Sequence, residues 1–394
     1  MLQLFNINKI GKEIKKLCLI LLYFCIVDKH YVQYLSMNGV SYKMQIKSNK
    51  TDYMIKNRIT KFLNSISQSM TEPSTKRIAW IDMAKAIAIL LMVIGHEASG
   101  SIYTWIFSFH MPLFFILSGY TARRVDTWHG LRKTISKLFK RIWILAALMI
   151  ILLAIENYLF YPTQIVDVIK VTVKGIFWGS NGARPGLNNV GVIWFLFAYF
   201  WARIIFDMGR LIIKDDRYNG VMFAILAYAG YLISQKIWLP QALDIALVAA
   251  FFMWIGAILR SYHFFSNSKT EFLTILVALV FWLWCVQSGL HIELAIRSYP
   301  NFVITVVEAI AGTLVICYLS RGLMSTTLTS WLVIFGRNSI ILLCIHHLDL
   351  YWVFWGGLIH SSWRAMLLRL VVDIIIMALV LVVKYLLSKI KEHG

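Results

Sequence analysis

From Ile78 onward the chain repeats apolar runs long enough to cross a bilayer, parted by short polar breaks. Inside hydrocarbon every backbone N–H and C=O must be satisfied within the protein, so such runs are restricted to helices or to the strands of a closed barrel. A spanning helix needs about 20 apolar residues and a spanning strand only about 9–11, and runs of this length are helical. The runs place spans near 78–97, 102–122, 142–161, 190–211, 219–235, 241–259, 271–289, 301–320, 331–349 and 366–387. The expected fold is therefore an all-α polytopic membrane protein, a bundle of about ten transmembrane helices. A hydrophobic content of 59% with only 15% charged residues and a mean hydropathy of +0.69 excludes an ordinary soluble domain.

The net charge of +20 would also suit a nucleic-acid partner. Its distribution argues for topology instead. With the N-terminus inside, the cytoplasmic loops hold Arg123, Arg124, Arg132, Lys133, Lys137, Lys140 and Arg141, then Lys214, Arg217, Arg260, Lys269 and Arg321. Lys170, Lys174, Arg184, Lys236, Arg297 and Arg364 are left for the outer loops. That is the positive-inside pattern, with both termini cytoplasmic, in a multi-pass protein of the cell membrane contacting lipid and no nucleic acid. Residues 1–76 differ from the rest: they are polar and lysine-rich, and their one apolar run, Leu17 to Val27, is short for a span. They read as a cytoplasmic extension, disordered or lying on the membrane surface, with Met70 an alternative start; residues 77–390 form the membrane domain. The connection from Pro162 to Asn189 reads as the longest outer loop. Cys18, Cys25, Cys285, Cys317 and Cys344 show no ligand spacing and read as buried small hydrophobes.

An ionisable group within a span is a functional hypothesis by default. The first span carries Asp82, Lys85 and His96. Eleven helical steps return Lys85 and His96 to within about 20° of one face, roughly 16 Å apart along the axis. Asp82, three residues before Lys85, shares that face, and Ile89 and Met92 lie between the polar ends. A boundary pair with a snorkelling histidine explains the same spacing. The second span contains SFHMPLFFILSGY, in which Pro112 leaves the Ser108 carbonyl without its helical donor and places polar backbone beside His110 at a bend. A core histidine satisfied by a neighbouring helix is the plainer account of His110. Ser118 and Gly119 read as close helix packing. Arg124 and Arg141, ending the second span and beginning the third, suit a phosphorylated donor at an inner mouth. Arg203, Glu308, His346 and His347 are weaker signals, and adjacent histidines face different sides of a helix, so no metal is expected.

These residues resemble a known family. DMAKAIAILLMVIGH followed by FSFHMPLFFILSGY is similar to the membrane-bound acyltransferase-3 family, in its branch of fucose and polysaccharide O-acetylases. VIWFLFAYF, LPQALDIALVAAFFMWIGAILR and FGRNSIILLCIHH agree in order and spacing across residues 77–390. The resemblance implies ten helices, cytoplasmic acetyl-CoA (acyl-CoA) as donor, and transfer to a hydroxyl of an extracytoplasmic sugar or polysaccharide. The family's arginine, ten residues, histidine signature falls here on Lys85 and His96, which keeps the charge and loses the bidentate fork. It also implies a stand-alone form, with no esterase-like domain appended. On this reading His96 removes the hydroxyl proton or relays the acyl group covalently. Asp82 tunes the region, His110 holds the carbonyl or the acceptor, and Lys85, Arg124 and Arg141 meet the donor. The rival is a transporter or flippase of lipid-linked sugars, which also uses broken helices and midplane charge; no second FHMP-like segment occurs in residues 240–390.

Overall fold

The structure is a computed structural model and describes residues 77–160, 163–180, 190–266, 268–324, 331–352 and 362–393. The extension to residue 76, with Cys18 and Cys25, lies outside the described residues. Ile78–Leu370 make one compact unit; a second takes Val371–Gly394 with Met1–Arg77, and of it Arg77 and the remainder of the last helix are described. Among the described residues every regular segment is helical apart from a single bridge, Glu293 to Ser298, which turns one loop.

In chain order the helices are α1 (Ala79–Gly95), α2 (Gly100–Phe107), α3 (His110–Thr121), α4 (Trp128–Leu138), α5 (Ile144–Phe160), α6 (Ile165–Trp178), α7 (Trp194–Ile212), α8 (Asp216–Ser234), α9 (Leu243–Ser261), α10 (Ser268–Gln287), α11 (Phe302–Leu323), α12 (Val333–Arg337), α13 (Ser339–Trp352) and α14 (Ser362–His393). A π-helical turn, Phe139–Trp143, joins α4 to α5. The ten expected spans fall on helix, and among the described residues seven helical stretches are long and apolar enough to cross a membrane. The other three fall short for visible reasons. Helix α1 has 17 residues. Helix α8 opens on Asp216 and Arg217. The segment expected at 331–349 is broken at Asn338, whose side-chain amide donates to the Ile334 carbonyl at 2.9 Å. Exposed apolar faces on α8 (Val221, Ile225, Leu232) and α10 (Leu273, Val277, Val280, Trp284) would be a liability in water and suit contact with lipid.

The Pro162–Asn189 connection is not a plain loop. It contains α6, with Ile165, Ile169, Val173 and Phe177 at helical spacing, stopped by Gly179 in the left-handed conformation at φ 54°. At 14 residues the helix is too short to register as a span.

Helix α9 is the hub, packing on α3, α7 and α8. Lipid tails give apolar helices no reason to prefer one another over lipid, so close backbone approach through small residues has to select the partners. A Cβ on Gly119 of α3 would lie 1.8 Å from the Met253 carbonyl oxygen, and one on Gly256 of α9 would lie 1.8 Å from that of Ile116. The contact is reciprocal, main chain on main chain, as the reading of Gly119 expected. Gly336 of α12 does the same for α1, where a Cβ would meet the Asp82 carbonyl oxygen at 1.6 Å. A second apolar cluster, including Ile81, Phe109, Leu113, Trp282 and Leu314, joins α1, α3, α10 and α11.

Gly119→Leu and Gly256→Leu should each cost more than the roughly 1–3 kcal/mol of ordinary overpacking, because a helix carbonyl cannot rotate away. Monodisperse yield in detergent should fall to background for both. Gly322→Ala, with nothing within 4 Å of the added Cβ, should leave it unchanged.

Candidate functional site

Helix α1 ends at Gly95, and His96 caps it by turning its ring back on the helix: Nδ1 lies 2.8 Å from the Met92 carbonyl oxygen. A carbonyl only accepts, so Nδ1 carries a proton, and in the neutral ring Nε2 then holds the lone pair. His110 repeats the arrangement, with Nδ1 2.9 Å from the Ile106 carbonyl oxygen. Phe107 stands edge-on to both rings, at centroid distances of 5.5 Å to His96 and 4.7 Å to His110. Two imidazoles, each with Nδ1 committed to a main-chain carbonyl, thus flank one phenyl ring.

The bend that sets His110 is a complete helix break. Helix α2 stops at Phe107 and α3 begins at His110, so Pro112 occupies the first turn of a new helix, where a missing N–H leaves no gap in the ladder. The Ser108 hydroxyl donates to the Trp105 carbonyl at 2.8 Å and accepts the Trp282 indole N–H at 2.9 Å. Glu308, fully buried on α11, belongs to this polar pocket.

His96 and His110 line one small cavity, together with Phe107, Trp194 and Glu293. Lys85 lines a second, larger one, with Ser118, Tyr199, Arg203 and Ser339 among apolar walls of Ile89, Phe114 and Phe195. The Ser118 and Tyr199 hydroxyls are 2.9 Å apart, and Arg203 Nε donates to Asp207 at 2.8 Å. Both cavities touch Met92, Met111 and Leu343, so they adjoin end to end. Along the stripe, Lys85 and Ile89 line the second cavity, Met92 lines both and His96 lines the first.

The remaining expected site residues lie elsewhere. Asp82 is buried and faces Arg337 of α12 at 3.4 Å; it lines neither cavity. The Arg124 guanidinium donates to the carbonyls of Arg210, Ile213 and Lys214 at 3.1, 3.2 and 2.7 Å, closing the end of α7. Arg141 is exposed on the π-helical turn and reaches neither cavity.

Glu97 and Glu293 were not legible beforehand, and His346 was only a weaker signal. His346 of α13 packs its ring edge-on to His96 at 4.8 Å. Glu97, next to His96, pairs with Arg369 of α14, fully buried, which also donates to Asp349 at 2.7 Å. Glu293 sits in the loop between α10 and α11, where burial holds its carboxyl above the usual carboxylate range against the opposing hydrogen bond from Tyr103. That loop is pinned by Arg297, whose Nε donates to Asp244 at 2.8 Å, whose guanidinium also bonds the Ser180 hydroxyl, and which lies over the Trp238 ring at 3.9 Å. Arg297 itself has a left-handed backbone at φ 57°, a conformation held by these contacts.

The family model described as "Acyltransferase domain" matches residues 78–389. No curated protein and no solved structure matches the chain.

Asp244→Ala would leave the Arg297 guanidinium buried without its carboxylate, a loss of about 3–5 kcal/mol. Thermal unfolding in detergent should show a large drop for Asp244→Ala and a smaller one for the double variant Asp244→Ala/Arg297→Met, which removes both charges.

Proposed function

The chain belongs to the acyltransferase-3 family of membrane acyltransferases, and from that premise we propose that it is an O-acetyltransferase moving an acetyl group from acyl-CoA on the cytoplasmic side to a hydroxyl of an extracytoplasmic or lipid-linked sugar or polysaccharide. One observation carries the reading: the cationic cavity at Lys85 and Arg203 runs directly up to the cavity of His96 and His110. Membership of an acyltransferase family displaces the transporter alternative. The basic loops orient Lys85 toward the cytoplasm, and the membrane is the cell membrane.

In the proposed reaction the donor's phosphates meet Lys85 and Arg203, as a negatively charged nucleotide tail requires, and its thioester carbonyl is directed at the imidazoles. The acceptor hydroxyl enters from the opposite end and hydrogen-bonds His96 Nε2, already an acceptor because Nδ1–H is committed to Met92. As the hydroxyl oxygen bonds to the carbonyl carbon, its proton moves to Nε2. The C–S bond breaks, and the proton passes to the departing thiolate, leaving an ester and free CoA thiol. A positioned base of this kind contributes about 10²- to 10⁴-fold. His110 Nε2 and the Glu293 carboxyl hold the acceptor, the class of contact that polyhydroxylated ligands require. Arg124 and Arg141 are left outside this scheme by their positions, and Asp82 contributes through α1 and its Arg337 partner.

Membranes containing the protein, supplied with radiolabelled acetyl-CoA, should incorporate label into extracted glycan or glycolipid. His96→Ala should lower incorporation by at least about 10²-fold with the detergent elution profile intact. Incorporation at the wild-type level by His96→Ala would remove the base from the scheme. Lys85→Ala should act mainly on the donor's KM and leave kcat closer to wild type.

A further inference from the structure

The two cavities have three lining residues in common: Met92 of α1, Met111 of α3 and Leu343 of α13. Three separate helices each bring one apolar side chain to the same junction. Met92 and Leu343 are buried and Met111 is half-buried. Met92 lies one helical turn, about 5.4 Å along the axis, before His96, and Met111 directly follows His110. The junction is therefore immediately beneath the imidazoles.

We propose that Met92, Met111 and Leu343 form a waist that sets the length of the acyl chain transferred, restricting the protein to short acyl groups. The inference rests on the acyl-transfer reading above. A thioester arriving through the larger cavity has to present its carbonyl at this junction to reach an imidazole. The acyl tail beyond the carbonyl must then lie in the smaller cavity, beside the acceptor hydroxyl, or bend back against the three side chains. An acetyl group adds only a methyl there. Each further methylene competes with the acceptor or displaces a packed side chain, and such a methylene is discriminated by roughly 10–200-fold in an apolar pocket. Methionine yields more readily than a branched residue, so the waist admits a small acyl group without a fixed opening.

Met111 and Leu343 are the positions to alter, because Met92 belongs to the helical turn on which the His96 ring is anchored. Membranes containing the full chain are supplied in turn with radiolabelled acetyl-, propionyl-, butyryl- and hexanoyl-CoA, and label is measured in extracted glycan and glycolipid. Wild type should incorporate acetyl far above the longer groups. Met111→Ala and Leu343→Ala should each raise the propionyl-to-acetyl and butyryl-to-acetyl ratios by about tenfold. Met111→Phe should lower acetyl incorporation by filling the junction. Acetyl incorporation with unchanged ratios in both alanine variants would overturn the waist while leaving acyl transfer standing. No incorporation by wild type from any of the four donors would overturn acyl transfer, and the waist with it.

Discussion

Helix α3 and helix α9 touch main chain to main chain, and the site is built outward from that contact. Gly119 and Gly256 each face a carbonyl of the other helix at a distance no side chain would permit. In lipid, where apolar helices gain little from finding one another, such an approach is what selects a partner and fixes its register. Because α3 is held in this way, His110, Met111 and Ser118 take fixed positions along the cavities. Gly336 secures α12 against α1 in the same manner, on the helix that carries Lys85 and His96. The two walls of the site are thus each anchored by a glycine.

Buried charge follows a second constraint. Arg297 meets Asp244, Arg203 meets Asp207, Arg369 meets Glu97 and Asp349, and Arg337 meets Asp82. An unpaired charge inside the bundle would cost several kcal/mol, so each guanidinium requires a carboxylate on another turn or another helix. These pairs also organise the site: one pins the loop that carries Glu293, and another holds the residue next to His96. At the basic end, Arg124 and Arg260 donate to carbonyls at the ends of α7 and α3, satisfying helix termini that have no intrahelical donor. Part of the charge asymmetry read from the sequence as topology therefore has a structural duty as well.

In the proposed function the larger cavity, with Lys85 and Arg203, is the donor end and the smaller, imidazole-lined one is the acceptor end. Phe107 and the fixed Nδ1–H bonds keep both imidazoles in a single tautomer and orientation. Preorganisation of this kind spares the reaction the reorientation it would otherwise need. The helix break at Ser108–Phe109 has the same effect: it lets His110 point into the cavity while Trp282 and Trp105 satisfy the serine.

By itself the sequence determined the class of fold, the placement of the helices, the break before His110, the packing role of Gly119 and the stripe from Lys85 to His96. These are local properties, set by hydrophobic run length, by a proline without an N–H and by a period of about 3.6 residues per turn. The helix α6 and the interruption at Asn338 escaped because one is too short to register as a span and the other lies in an apolar run that looks continuous. Only the tertiary structure decided that Asp82 turns to Arg337, 255 residues away, that Arg124 caps α7, and that His346 and Glu293 join the histidines. A helical period says which residues share a face, but not which helix will stand opposite. That choice is made by close packing and by the pairing of buried charges between segments far apart in the chain.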